Sequence, residues 1–538
     1  MASRTRKFFL NALALTATAF IMRGVSVIFN AYVSNAAGSE AMGLFSLITS
    51  VYVFSITVAC ASINLGTTRT VADALGLNDP QLAKRAARRA LVIALVSSSI
   101  ATIVLFFCSG FISSYILGDL RADRPLKILS LSLIPVALCS CLSGYFTAVR
   151  RVKANSAFQI VAQLVKIGIT VYILSFTVDK GAEAACIALV VGSTSSEIIS
   201  LIINYALYIF DVRKKLTPNA PAVSTLKASS GEGLTAKIVK ITLPVTLSAC
   251  VRSALSMFQH VLIPKGLAAS GNSWAEALSS YGALHGMAMP LILFPSALIY
   301  SFAGLLIPEV SECCIREDND RLCRVSYRSV TLSLFFSIGV SGIMLFFSNE
   351  LGTLVYNNAE TARYIRIMAP LIPVMYIDGT VDAILKGSGH QVYSMNVNII
   401  DALTACIFAL VLIPKMGIWG YVISIYATEI MNTSLSLLKL ISVSNIRMKI
   451  FHQIILPLIC IIGATNISKL ILRSTSTSVL TPPALTINII LTIIIYFLFL
   501  FLTKAIGRDE SEFLTASLLS EKQYKKRLDG IRKQITAS

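Results

Sequence analysis

Apolar stretches of about 20 residues recur from one end of the chain to the other, each long enough to cross a hydrocarbon core as a helix. The pattern predicts about fourteen transmembrane helices, over 8–33, 42–65, 90–117, 127–149, 155–176, 183–208, 238–264, 278–307, 329–348, 366–385, 394–414, 418–440, 453–472 and 484–503. The polar stretches between them are short. The longest, Asp211–Lys240 and the tail after Lys504, hold a short helix or two but no buried soluble core. The expected fold is therefore all-α and integral to a membrane.

Composition agrees: 55% of the 538 residues are apolar and only 14% are charged, far outside the range of soluble domains. The net charge of +19 would suit nucleic acid, but the cations follow the loops instead. With the N-terminus inside, roughly 33 Lys and Arg residues fall in cytoplasmic loops, about 10 outside and about 3 within spans, the usual positive-inside bias. Lys84, Arg85, Arg88 and Arg89 after span two, and Arg213, Lys214 and Lys215 after span six, show it directly. The reading is a multi-pass protein of the cytoplasmic membrane, both termini inside, without nucleic-acid partners. Arg4, Arg6 and Lys7 before an apolar run imitate a signal peptide, but Arg23 interrupts that run and no good small-residue cleavage site follows. Most of the eleven cysteines lie in spans as small apolar residues, and Cys313, Cys314 and Cys323 share a loop without a neighbouring His, so no metal site is expected.

The chain repeats itself. Span one reads RGVSVIFN and span seven RSALSMFQ, placing Arg23 and Arg252 six residues before Phe29 and Phe258. The next spans open with SEA (Glu40) and AEA (Glu276), and spans five and eleven begin VKANSAFQ and QVYSMNVN. Their common order points to a duplication of a six-helix unit; six being even, the halves share one orientation. The expected organisation is an N-lobe at 1–210, a cytoplasmic linker at 211–237, a C-lobe at 238–440, two appended helices within 441–505 and a basic tail at 506–538. That tail is either solvated or laid on anionic lipid as a helix.

A charge at mid-bilayer costs about 2.5–3.5 kcal/mol on insertion scales, so each one needs an explanation. Thr16, Arg23, Ser26 and Asn30 share one helical face, as do Ser248, Arg252, Ser256 and Gln259, and Gln159, Gln163 and Lys166. Two readings stand: a water-filled cavity whose cations bind an anionic head group, or cations paired with membrane carboxylates that hold helices together. The acids gather in the second half: Asp378 and Asp382 one turn apart, Asp401 with Asn398 and Ser394 on its face, and Glu429; Glu197 stands in span six. Such carboxylates suit coupling to sodium or protons, or else structural pairing with Arg252 or Lys386. His260 and His285 read as helix-packing or interfacial residues more readily than as proton relays. Pro290 and Pro295 interrupt span eight, and Pro370 and Pro373 span ten. With no GxxxxGK[ST], HExxH or GxSxG sequence, no catalytic residue and no organic cofactor are expected.

The segments GSEAMGLFSLITSVY (38–52), LSGYFTAVRRVKANSAFQIVAQLVK (142–166), FPSALIYSFAGLLIPEVSE (294–312) and LKGSGHQVYSMNVNI (385–399) carry a resemblance. The chain resembles the stage V sporulation protein B and polysaccharide-exporter branch of the multidrug/oligosaccharidyl-lipid/polysaccharide flippase superfamily, over essentially its whole length. The resemblance implies a V-shaped bundle of two six-helix lobes that moves a lipid-linked saccharide across the membrane by alternating access; a monomer is expected. The related lipid II flippases carry cavity arginines for pyrophosphate, and Arg23, with Arg252 in the repeat, falls at a matching place. Ala162 stands where the sporulation family usually has an acid, and span two ends VYVFSITVAC where lipid II flippases are arginine-rich. A multidrug antiporter of the same fold is the alternative function.

Overall fold

The computed structural model describes residues 2–77, 79–149, 152–177, 181–215, 234–446, 448–474, 482–503 and 505; side chains are described from Phe20 on, except those of 152–159, 212–215, 234, 237, 241, 472–474 and 482. The linker segment 216–233 and the expected basic tail at 506–538 lie outside the described residues. Among the described residues there is no β-strand.

In chain order the helices are α1 (Ala2–Cys60), α2 (Ile63–Gly76), α3 (Pro80–Phe111), α4 (Asp123–Ser130), α5 (Leu133–Ala148), α6 (Val152–Thr177) and α7 (Ala182–Lys215). The second half runs α8 (Leu234–Ala269), α9 (Trp274–Tyr281), α10 (Met289–Leu293), α11 (Ser296–Ile315), α12 (Asn319–Phe346), α13 (Ala359–Met368) and α14 (Ile372–Gly387). α15 (Gln391–Val411), α16 (Ile418–Ser444), α17 (Leu456–Ser474) and α18 (Pro482–Leu502) complete it. Every expected span falls on one or more of these helices. Ten described helices are long and apolar enough to cross a membrane, and eleven if the bent pair Leu120–Ser130 and Leu133–Ala148 is one span. The number fourteen is thus not reached on length and hydropathy alone. One reason is that Phe20–Gly76, which satisfies the criterion as a single stretch, holds two of the expected spans.

Those two spans meet at Gly38, whose φ of 81° lies in the left-handed region that a side chain disfavours, so glycine is what lets the chain turn there. Two expected proline breaks are present: Pro295 sits at the junction before α11, and Pro370 lies in the 3₁₀ turn between α13 and α14. The first half breaks at the corresponding place, between Cys60 and Ile63.

The chain packs as two compact units: Met1–Ile28 with Ala288–Asp401 and Ile425–Ser538, and Phe29–Met287 with Ala402–Ser424. In the first, α12 is the central helix. Its Ser333, Ser337 and Ser341 are buried at four-residue spacing, and small side chains let neighbours approach closely. Ser333 and Thr380 share a hydrogen bond (2.7 Å), Ser341 donates to the Ala369 carbonyl (2.7 Å), and Tyr496 of α18 donates to that of Phe335 (2.7 Å). In the second unit, Val71, Ala74, Ala83, Ala86, Ala87, Leu142, Tyr145 and Phe146 form an alanine-rich core joining α2, α3 and α5. There too, the start of the helix after Gly38 lies tight against α9 and its continuation. A Cβ on Gly43 would sit 2.0 Å from the Leu278 carbonyl oxygen, and one on Gly282 2.0 Å from that of Ser39.

Candidate functional site

Arg23 lies in the first unit, where α1 meets the break between α10 and α11. The Phe20 ring packs on Phe294 with centroids 4.9 Å apart, and Gly24 faces the same ring. Arg23 is exposed on the protein surface and makes no ion pair among the described residues. Its field reaches Tyr300 of α11 and Tyr376 of α14. Tyr376 is anchored by donating to the Ile292 carbonyl (2.5 Å). Tyr300 is the hub: besides Arg23 it lies within electrostatic reach of Asp378, Asp382 and Glu429.

The acids expected for ion coupling therefore gather in this unit with Arg23. Asp378 interacts with Asp382 and Asp401, and Glu429 with Asp401 and Asp378. Three adjacent spans each bring a carboxylate. Asp382 is closed off: Lys386 lies 2.5 Å from its Oδ2, and Ser394 donates to its Oδ1. Asn398 donates to the Ser394 carbonyl (2.8 Å), so the two polar neighbours on the face of Asp401 bond elsewhere. Asp378, Asp401 and Glu429 make no ion pair among the described residues. The described residues contain no group of His, Cys, Asp and Glu placed to hold a metal ion by themselves. A cation here would draw oxygens from water or substrate as well.

The remaining expected residues lie in the second unit. Asn30 donates to the Gly286 carbonyl (2.8 Å), across the contact of Gly43 with α9, and so holds helices together. Arg252 is exposed and, like Arg23, without an ion pair among the described residues. Ser256 and Gln259 lie half-buried below it on α8. Gln163 is half-buried on α6 and bonded, while the side chains of Thr16 and Gln159 are outside the described residues. Lys166 lies within electrostatic reach of Glu197, not alone. His260 shares a hydrogen bond with Tyr281 (3.1 Å), and His285 stacks on the Tyr281 ring (5.3 Å), an aromatic packing cluster as expected.

Sequence reasoning missed Tyr300, although it sits inside FPSALIYSFAG, and it missed a further network in the second unit. Arg121 there bonds Asp119 through both Nε (3.0 Å) and Nη2 (2.8 Å) and Glu40 through Nη1 (2.8 Å). Trp274 Nε1 donates to Asp119 Oδ2 (2.9 Å). Burial alone would raise the Asp119 carboxyl, but the bonds from Arg121 and Trp274 outweigh it and hold the group below its ordinary range. The clue was the run GDLRADR, an arginine between acids in a short loop.

Comparisons with known proteins fit this architecture. A family model described as Polysaccharide biosynthesis protein matches residues 8–314, and one described as MatE matches 272–411. Stage V sporulation protein B of Bacillus subtilis (strain 168) is 26% identical over 456 residues, covering 84% of this chain and 86% of its own. Sporulation protein YkvU of the same organism is 21% identical, covering 72% and 86%. The fold is also that of the lipid II flippase MurJ in an inward closed conformation, with a TM-score of 0.66 at 13% identity over 92% of this chain and 99% of that one. It is shared by an inward-facing multidrug resistance MATE family transporter, with a TM-score of 0.59 at 14% identity over 81% and 99%. The chain belongs to the polysaccharide biosynthesis protein family.

Proposed function

We propose that this member of the polysaccharide biosynthesis protein family is a flippase or exporter of a polyprenyl-pyrophosphate-linked saccharide, a peptidoglycan or polysaccharide precursor. It moves the head group across the cytoplasmic membrane by alternating access between lobes 1–210 and 238–440, as a monomer with both termini inside. It is a transporter rather than an enzyme. The observation that carries the reading is Arg23, a guanidinium within a membrane helix that stays unpaired although carboxylates lie around the same tyrosine. A forked cation held open in this way fits pyrophosphate oxygens, while the polyprenyl tail remains in lipid. Arg252, at the equivalent place in the repeat, is a second unpaired cation of the same kind among the described residues. Asp378, Asp401 and Glu429 bind the sodium ion or proton whose gradient drives the cycle.

The MatE match and the same three carboxylates favour a second reading, a multidrug or cation antiporter. Arg23 separates the two, because a cationic drug gains nothing from it. In proteoliposomes, flipping of a fluorescent polyprenyl-pyrophosphate saccharide is expected for the wild type and lost in Arg23→Ala and Arg252→Ala. Intact protein that flips no such lipid but exports a cationic dye, with Arg23→Ala unimpaired, overturns the flippase reading.

A further inference from the structure

Lys166 and Glu197 are the charged residues that face each other between α6 and α7. Ser196, next to Glu197, donates to the carbonyl of Ala162, one turn before Lys166 (2.7 Å). A Cβ on Gly192 would sit 3.1 Å from the Lys166 carbonyl oxygen, so the two backbones run in close contact here. Yet the pair is open. Each group feels the other electrostatically, but no ion pair within 4.0 Å joins them, and neither side chain has a hydrogen bond among the described residues. The other titratable groups facing Glu197 are Tyr52, Cys60 and Cys139. Three buried oxygens line the same faces without a partner: Thr170 Oγ1 one turn from Lys166, and Thr194 Oγ1 and Asn204 Oδ1 on either side of Glu197.

In a low-dielectric interior two opposite charges close on each other, neutralise, or are completed by another partner, since leaving both apart and charged is costly. We propose that Lys166 and Glu197 form an exchange pair: the substrate's pyrophosphate takes Lys166, and Glu197, left without its cation, binds one proton from water. When the pyrophosphate leaves, Lys166 returns to Glu197 and the proton is released. Each bound anion thus carries about one proton into the protein, at a place separate from the carboxylates around Tyr300. This inference rests on the flippase reading, because it requires a diphosphate ligand.

The test is farnesyl diphosphate binding to the full-length protein in detergent, with proton uptake read by calorimetry in buffers of different ionisation enthalpy. The wild type is expected to take up close to one proton per ligand at pH 7. Glu197→Gln should bind farnesyl diphosphate and take up almost none, while Glu197→Asp keeps the uptake. Lys166→Gln should bind about tenfold or more weakly. Binding with the same uptake in Glu197→Gln overturns the exchange pair and leaves the flippase reading standing. If the wild type, monodisperse and folded, binds no farnesyl diphosphate, the flippase reading falls and the exchange pair with it.

Discussion

The charges around Arg121 and those around Arg23 are built on opposite plans. Arg121 uses both sides of its guanidinium, on Asp119 and Glu40, and Trp274 adds a further bond to the same Asp119 Oδ2 that Arg121 holds. Asp119, with 5% of its side chain exposed, has no unmet demand. Around Tyr300 the residues are equally charged and far less matched: one unpaired arginine, Asp378 and Glu429 without ion pairs and Asp401 beside them, and one acid closed by Lys386. A closed network holds loops in register. An open one in a membrane interior is tolerated where something else completes it.

That contrast is sharpest in stability. Arg121→Ala leaves Asp119 and Glu40 facing each other without a cation, which should cost about 2–3 kcal/mol, read by thermal unfolding in detergent. A cost below about 0.5 kcal/mol would show that the network is decorative. Glu429→Gln should act in the opposite sense, leaving the unfolding temperature unchanged or raising it by up to about 1 kcal/mol equivalent, since a crowded acid is neutralised. The same variant should lose dependence on the driving ion gradient; a destabilised Glu429→Gln would mean that the acids are structural. Trp274→Phe removes one hydrogen bond to an ionised group while keeping an aromatic ring, an expected loss of about 1.5 kcal/mol.

The smallest effect is in pH. Asp119 is held below the ordinary carboxylate range in the folded protein, so its contribution is fully present above about pH 4, the usual value for Asp. It fades as pH falls through the lower folded value. The gap in unfolding temperature between wild type and Asp119→Asn should therefore be constant from pH 7 to about 5 and narrow only in stronger acid. A gap that widens on acidification would contradict the assigned charge state.

What could be read along the chain was whatever repeats locally. Twenty apolar residues make a span wherever they occur, Pro295 and Pro370 mark breaks because proline lacks the donor a helix needs, and helical spacing put Arg23 and Asn30 on one face. What remained hidden was which face meets which. Nothing local says that Ser394 bonds Asp382 rather than serving Asp401, that Asn30 is drawn to the Gly286 backbone, or that Lys166 looks across at Glu197. Those pairings depend on how helices far apart in sequence come together, and Trp274 reaches Asp119 across 155 positions. The number of spans was blurred for a related reason: one glycine at 38 separates two helices that are otherwise continuous.

The most direct test measures flipping of a polyprenyl-pyrophosphate saccharide and unfolding temperature side by side for Arg23→Ala and Arg121→Ala. The account predicts that Arg23→Ala loses flipping and keeps its unfolding temperature, whereas Arg121→Ala unfolds several degrees lower. An Arg23→Ala protein that flips lipid at the wild-type rate, or that loses flipping only because it unfolds, would contradict the claim that the open arginine serves the substrate.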